Sequence, residues 1–342
     1  MARSISDIQS FQPVARTLMG PGPSDIYPAV LQALSRPTVG HLDPLFIAMM
    51  DEVKQLLQYA FQTENPFTLA ISAPGSAGME ACFVNLVEPG EKVIVCRNGV
   101  FGDRMRENVE RCGATAVMVD DAWGAPVSPE KVKQALKDHP DASTLAFVHA
   151  ETSTGACSDA QTLARLAREH GCLTIVDAVT SLGGVPLKVD EWQLDAVYSG
   201  SQKCLSCVPG LSPVTFSSRA VAKMQARTHK VQSWFLDQAW CLVIGAGKVN
   251  AAITIPRRSI ACMPCMSLYC GFIKKGLKTH GNVIKTCINT SKRGWMNSGS
   301  RLWLSRLIGC RSLMQSLFPM VWTMRPCASI YSIPITSKLV LD

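Results

Sequence analysis

The chain has 342 residues, 47% of them hydrophobic and 18% charged, with a formal net charge of +8. That length exceeds one typical domain and supports a sizeable core, so a multi-domain globular enzyme is expected and a disordered polymer is excluded. No run of eighteen apolar residues occurs, and residues 1–20 lack the apolar centre of a secretory leader, so neither a membrane span nor secretion is expected and the location follows as cytoplasmic. Fourteen cysteines in such a chain read as reduced thiols.

The net charge divides unevenly. Residues 1–238 hold 20 Lys and Arg against 25 Asp and Glu, whereas residues 239–342 hold 14 against one, Asp342. The second stretch also carries seven of the cysteines and four of the seven tryptophans.

From about residue 68, short apolar runs alternate with segments of helical period, the pattern of a mainly parallel sheet flanked by helices in an α/β fold. Strands are expected at Thr68–Ser72, Lys92–Cys96, Ala114–Val119, Leu145–His149, Leu173–Asp177 and Ala196–Ser199. Helices are expected between them at Ala77–Val87, Asp103–Cys112, Pro129–Lys137 and Asp159–His170. Glu88-Pro-Gly, Cys112-Gly, His170-Gly and Pro209-Gly supply the stops. After about Gln238 the periodicity ends and Ser, Cys, Arg, Trp and Met scatter without order.

Three motifs carry candidate chemistry. In Ser72-Ala-Pro-Gly-Ser-Ala-Gly-Met-Glu80 a strand passes through small residues into a helix, whose first amides and dipole favour a phosphate; a turn of small residues also forms without any ligand. In Leu173-Thr-Ile-Val-Asp177 an apolar strand ends in a carboxylate. Ligands of open α/β sheets bind beyond such carboxyl ends, where Asp177 can keep a pyridine nitrogen protonated, although a strand-end Asp more commonly caps a turn. In Asp195-Ala-Val-Tyr-Ser-Gly-Ser-Gln-Lys203-Cys-Leu-Ser-Cys a lysine stands among small neutral residues after a strand. There it can lose the water that holds its charge and serve as an amine nucleophile, although a lysine without a reactive role is the commoner reading of such a position taken by itself.

Phosphate cradle, acid and amine occur in the chain order that one cofactor requires. With Leu18-Met-Gly-Pro-Gly-Pro-Ser24, Arg36-Pro-Thr-Val-Gly-His-Leu-Asp-Pro44 and His149-Ala-Glu-Thr-Ser-Thr-Gly155, they make the segment from about Leu18 to Asp237 resemble the alanine/serine-glyoxylate aminotransferases of the class V group. The resemblance implies fold type I of the pyridoxal 5'-phosphate (PLP)-dependent transferases, a large cofactor-binding domain over residues 21–238 after an N-terminal arm over 1–20, and a homodimer. It implies that Lys203 binds the cofactor aldehyde covalently and moves the substrate proton, and that Asp177 holds the ring nitrogen. Gly75, Ser76 and Ala77 would hold the phosphate through backbone amides with Gln202 beside them. Phe101 would stack on the ring or else belong to the core, Thr152 would lie near the ring oxygen, and Gly20, Pro21 and Gly22 would line the substrate pocket. The implied reaction passes an amino group from alanine or serine to glyoxylate or pyruvate.

After Ser233-Trp-Phe-Leu-Asp237 the likeness stops: the Tyr-His-His-Thr-like segment and the later carboxylate-binding arginine of the family are not recognisable. Residues 239–342 are expected to be an out-of-frame, poorly ordered tail replacing the small C-terminal domain. Such a chain could be an inactive remnant, and a desulfurase or lyase of the same superfamily is the enzymatic alternative. A basic nucleic-acid-binding domain is the competing view of the tail, but no motif for it accompanies the charge. Cys204-x-x-Cys207, Cys262-x-x-Cys265 and His280 lack the second closely spaced pair of a zinc site, so no metal is expected.

Overall fold

The computed structural model describes residues 12–18 and 20–238. The arm expected over 1–20 is thus described only in part, and the stretch 239–342, with Cys262, Cys265 and His280, lies outside the described residues.

Two helices open the chain: α1 (Pro28–Leu34) and α2 (Pro44–Phe61). Each begins on a proline, whose missing N–H costs nothing in a first turn, and the Asp43 carboxylate accepts the Leu45 N–H at 2.8 Å. The alternating body then follows as β1 (Phe67–Ile71), α3 (Gly75–Leu86), β2 (Lys92–Arg97), α4 (Val100–Arg111), β3 (Thr115–Asp120), α5 (Pro129–Asp138), β4 (Ala142–Val148), α6 (Ala160–Glu169), β5 (Leu173–Asp177), β6 (Ala196–Tyr198), β7 (Ser212–Phe216) and α7 (Ser218–Gln225). The six strands and four helices expected from the periodicity are present, their ends displaced by no more than three residues.

The strands form one sheet in the order β1-β7-β6-β5-β4-β2-β3. Pairs β2–β3, β2–β4, β4–β5 and β5–β6 are parallel, as expected, whereas β7 runs antiparallel to both β6 and β1. Strand β7, unannounced by the sequence pattern, reverses because its connection from β6 contains turns but no helix to carry a parallel crossover. Both neighbours of β7 being antiparallel to it, β1 points the same way as β6. The carboxyl ends of β1 to β6 therefore share one edge of the sheet.

The sheet is covered on both faces. On β4, Leu145 and Phe147 join one core with Val53, Leu57 and Phe61 of α2, Val132 and Leu136 of α5, and Leu163 and Leu166 of α6. Ala146 and Val148 turn to the other core, with Met79, Cys82 and Phe83 of α3, Met105 and Val109 of α4, and Met224 of α7. Strands buried on both faces read as unbroken apolar runs, which is why β4 and β5 were legible.

Helix α3 lies close against β6 and β7 at Gly78, where a Cβ would collide with the Ser212 hydroxyl and stand 3.4 Å from the Tyr198 Cβ. A helical Gly→Ala change at an exposed site gains up to about 1 kcal/mol. Here the lack of room reverses the sign, and Gly78→Ala is expected to lower stability by about 1–3 kcal/mol. Denaturant unfolding checks this; an unchanged midpoint would show that α3 can move off the sheet.

Candidate active site

Lys203 sits in the turn after β6, held by small hydroxyl residues. Ser199 Oγ donates to the Ala178 carbonyl at 3.0 Å, Ser201 Oγ to the Val208 carbonyl at 2.6 Å, and the Ser206 N–H to the Lys203 carbonyl at 2.9 Å. The N-terminal segment is fastened to the same turn: the Ser24 N–H donates to the Gln202 carbonyl at 2.8 Å and Ser24 Oγ to the Lys203 carbonyl at 2.7 Å. The half-buried Lys203 amine donates to the Pro21 carbonyl. Gly22 is required beside it, with φ +121 and a Cβ position overlapping the lysine side chain. Pro21 and Gly22 thus meet Lys203 as the substrate-pocket expectation requires, whereas Gly20 is exposed with nothing within 4 Å of its Cβ position.

Asp177 ends β5 directly opposite Tyr198 of β6 in the ladder. Its carboxyl is 3% exposed, accepting the Val179 N–H at 2.8 Å on Oδ1 and the Tyr198 hydroxyl at 2.8 Å on Oδ2. Burial pushes its pKa up to about 6 against the pull of these two hydrogen bonds. Burial, with the Asp177 charge behind it, also raises the Tyr198 phenol, which stays a proton donor to the carboxylate.

The small-residue turn does open a helix: α3 starts at Gly75 on the uncapped Pro74. Gly75 packs on the other two motifs, its Cβ position 3.3 Å from Val179 Cγ2 and 3.5 Å from Gly200 Cα and the Ser199 carbonyl. The Ala77 N–H turns back to the Pro74 carbonyl at 2.8 Å, so the amides at the helix start without an acceptor among the described residues are those of Gly75 and Ser76. Gln202 folds over Gly200, and its buried Oε1 has no hydrogen-bond partner.

Phe101 stands in the first turn of α4, half-buried against the α3–α4 core, with the Arg104 guanidinium 4.7 Å from its ring centroid. Thr152, on the loop after β4, shares a hydroxyl hydrogen bond with Thr180 on the loop after β5. Ser24, Tyr198, Thr180 and the buried Glu151 are local residues that sequence reasoning left without a role. Ser24, Tyr198 and Glu151 each lie inside a quoted motif, Glu151 as the one acid of His149–Gly155.

These residues fit PLP at both ends. The Gly75 and Ser76 amides suit an anionic group, and the enclosed Asp177 carboxyl suits a protonated ring nitrogen. Among the described residues no cluster of three His, Cys, Asp or Glu side chains is placed to hold a metal.

A mixed sheet of this kind, with its motifs gathered beyond the strand ends, defines the PLP-dependent transferases of fold type I. The crystal structure of an alanine–glyoxylate aminotransferase from Nostoc sp. superposes with a TM-score of 0.75 at 42% identity, covering 81% of this chain and 73% of that one. The profile of the family Aminotransferase class-V matches residues 22–238, and the chain belongs to that family. The alanine–glyoxylate aminotransferase of Rattus norvegicus is 37% identical over 255 residues, 75% of this chain and 60% of that protein. The (S)-ureidoglycine–glyoxylate transaminase of Bacillus subtilis is 38% identical over 224 residues, 66% of this chain and 53% of that protein. The chain thus spans less than two thirds of the length of the rat and Bacillus proteins.

The raised Asp177 pKa predicts a pH dependence. The folded state binds this proton more tightly than the unfolded chain, so its stabilising contribution is complete below the ordinary value of 3.8 and is lost as pH rises through about 6. Without added cofactor, that loss is on the order of 3 kcal/mol between pH 4 and 7 relative to Asp177→Asn. Denaturant midpoints of the two proteins across that range measure it; parallel pH profiles would exclude Asp177 as its source.

Proposed function

We propose that residues 21–238 form the PLP-binding domain of an aminotransferase that passes the amino group of a small amino acid, alanine or serine, to glyoxylate or pyruvate. The observation that carries this is the placement of the Lys203 amine against Pro21 and Gly22, on the sheet edge that also bears Asp177 and the start of α3. Glyoxylate as acceptor is supported by its appearance in the names of the rat, Bacillus and Nostoc relatives, which differ in donor.

When bound, PLP supplies an aldehyde for amino groups and an electron-withdrawing ring. Lys203 would hold it covalently and, once displaced by substrate, take the proton from the substrate α-carbon and return one to the cofactor. Asp177, fixed by Val179 and Tyr198, would hold the proton on the ring nitrogen. Gly75, Ser76 and Gln202 would bind the phosphate, with Ala77 supporting the turn. Phe101 would cover one ring face and Thr152 would bond the ring oxygen. The Gly20–Gly22 backbone would line the pocket where the substrate enters.

A desulfurase needs a mobile thiolate near the lysine. Cys204 instead donates to the Thr180 carbonyl at 3.1 Å with its pKa raised by burial, and Cys207 is 1% exposed, which disfavours that chemistry for both. We further propose a cytoplasmic location and a homodimer, the latter as expected of the family; no described helix is long and apolar enough to cross a membrane. The composition of residues 239–342 favours a second reading, in which this polypeptide binds cofactor without turning over substrate.

Borohydride reduction of the full chain with PLP is expected to leave a pyridoxyl group on Lys203 by mass spectrometry, and Lys203→Ala to abolish it. Where wild-type turnover of alanine or serine with glyoxylate is measurable, the variant should lose at least about a thousandfold. An adduct without turnover selects the second reading; no adduct on Lys203 refutes both.

A further inference from the structure

Helix α4 carries Phe101 in its first turn, yet the residue before it, Gly99, has no side chain with which to cap it. The cap comes from another loop. The Val100 N–H donates to Ser153 Oγ at 3.0 Å and the Phe101 N–H to Glu151 Oε2 at 3.2 Å. Ser153 in turn donates through Oγ at 2.6 Å and through its N–H at 3.0 Å to Glu151 Oε1. Glu151 is 1% exposed, and a carboxylate so buried persists only where fixed donors replace its water. Three hydrogen bonds and the positive end of a helix do so here.

The fit is tight enough to dictate a neighbour. A Cβ on Gly99 would overlap the Glu151 side chain, reaching Cδ at 2.5 Å, and would lie 2.6 Å from Ser153 Oγ. Because Gly99 has an ordinary extended backbone with φ 176, the glycine answers to this contact rather than to its conformation. The capping acid adjoins Thr152 in sequence. One carboxylate therefore ties the start of the helix that carries the aromatic ring to the loop that carries the hydroxyl residue, while the Arg104 guanidinium lies 4.7 Å from the ring centroid.

We infer that Glu151 is a positioning residue for the cofactor: by capping α4 from outside, it sets the Phe101 ring in register with Thr152 and so determines how the pyridoxal ring is gripped. This rests on the proposed roles of Phe101 and Thr152. Glu151 itself takes no part in bond making.

The test uses the full chain with added PLP, measuring the dissociation constant and visible circular dichroism of the bound cofactor and the thermal midpoint without cofactor. Glu151→Ala is expected to weaken binding about tenfold and change the visible dichroism, whereas Glu151→Gln, which keeps an acceptor for the Phe101 N–H, stays within about threefold. Ser128→Ala, which removes an ordinary cap from α5, should lower the thermal midpoint and leave affinity alone. In a Phe101→Ala background, Glu151→Ala should add less than about twofold, because the two act as one unit. Should Glu151→Ala not fold, Ser153→Ala is the substitute, expected to weaken binding about threefold. Unchanged dichroism and affinity, or full additivity with Phe101→Ala, would overturn the positioning role while the Lys203 adduct stands. A wild-type chain with no Lys203 adduct would overturn the site and this role together.

Discussion

At Gly75 the backbone of α3 rests on Val179 and on the peptide between Ser199 and Gly200, its Cβ position 3.3 Å from Val179 Cγ2 and 3.5 Å from Gly200 Cα. That contact brings three loops together that are separated by about a hundred residues of sequence, those following β1, β5 and β6. It exists because β7 inserts between β1 and β6 in the opposite direction, so that two non-neighbouring strands point the same way. Interiors packed to crystal-like density resist changes of even one methylene, so spacing at this point transmits directly to the amine, the carboxyl and the helix start.

The site holds two buried carboxyls and treats them differently. Asp177 has one backbone and one phenolic donor, and burial outweighs them, leaving a group that gains from a cationic partner. Glu151 is closed off by three hydrogen bonds at a helix start, all from residues of the protein. The first suits contact with a ligand and the second suits holding two loops in register. Both lie beyond the parallel strand ends, where open α/β sheets place ligands by topology.

Much of this was legible in the chain. Strands β2, β4 and β5, flanked by amphipathic helices, show as apolar runs between helical periods because both of their faces are covered. Lys203 and Asp177 stood out for the same reason: polar groups at the ends of apolar strands, among residues too small to solvate them. Helices α1 and α2 precede the alternating pattern, and α7 is short. Strand β7 reads as Ser-Pro-Val-Thr-Phe, with little to set it apart from the loop before it.

The sequence alone determined the layered α/β class and the alternation of elements from β1 to β6, and it singled out Lys203 and Asp177 as candidates, since periodicity and residue type are local properties that burial imprints on the chain. Tertiary structure decided that β7 is reversed, that the open amides at the start of α3 are those of Gly75 and Ser76 while Ala77 bonds to Pro74, that Ser24 bonds the Lys203 carbonyl, that Tyr198 bonds Asp177 and that Glu151 caps α4. Each of these is a contact between residues distant in sequence or a choice among nearby hydrogen-bond partners. Such contacts leave no periodic trace, because what selects them is the space left when the sheet and its helices close.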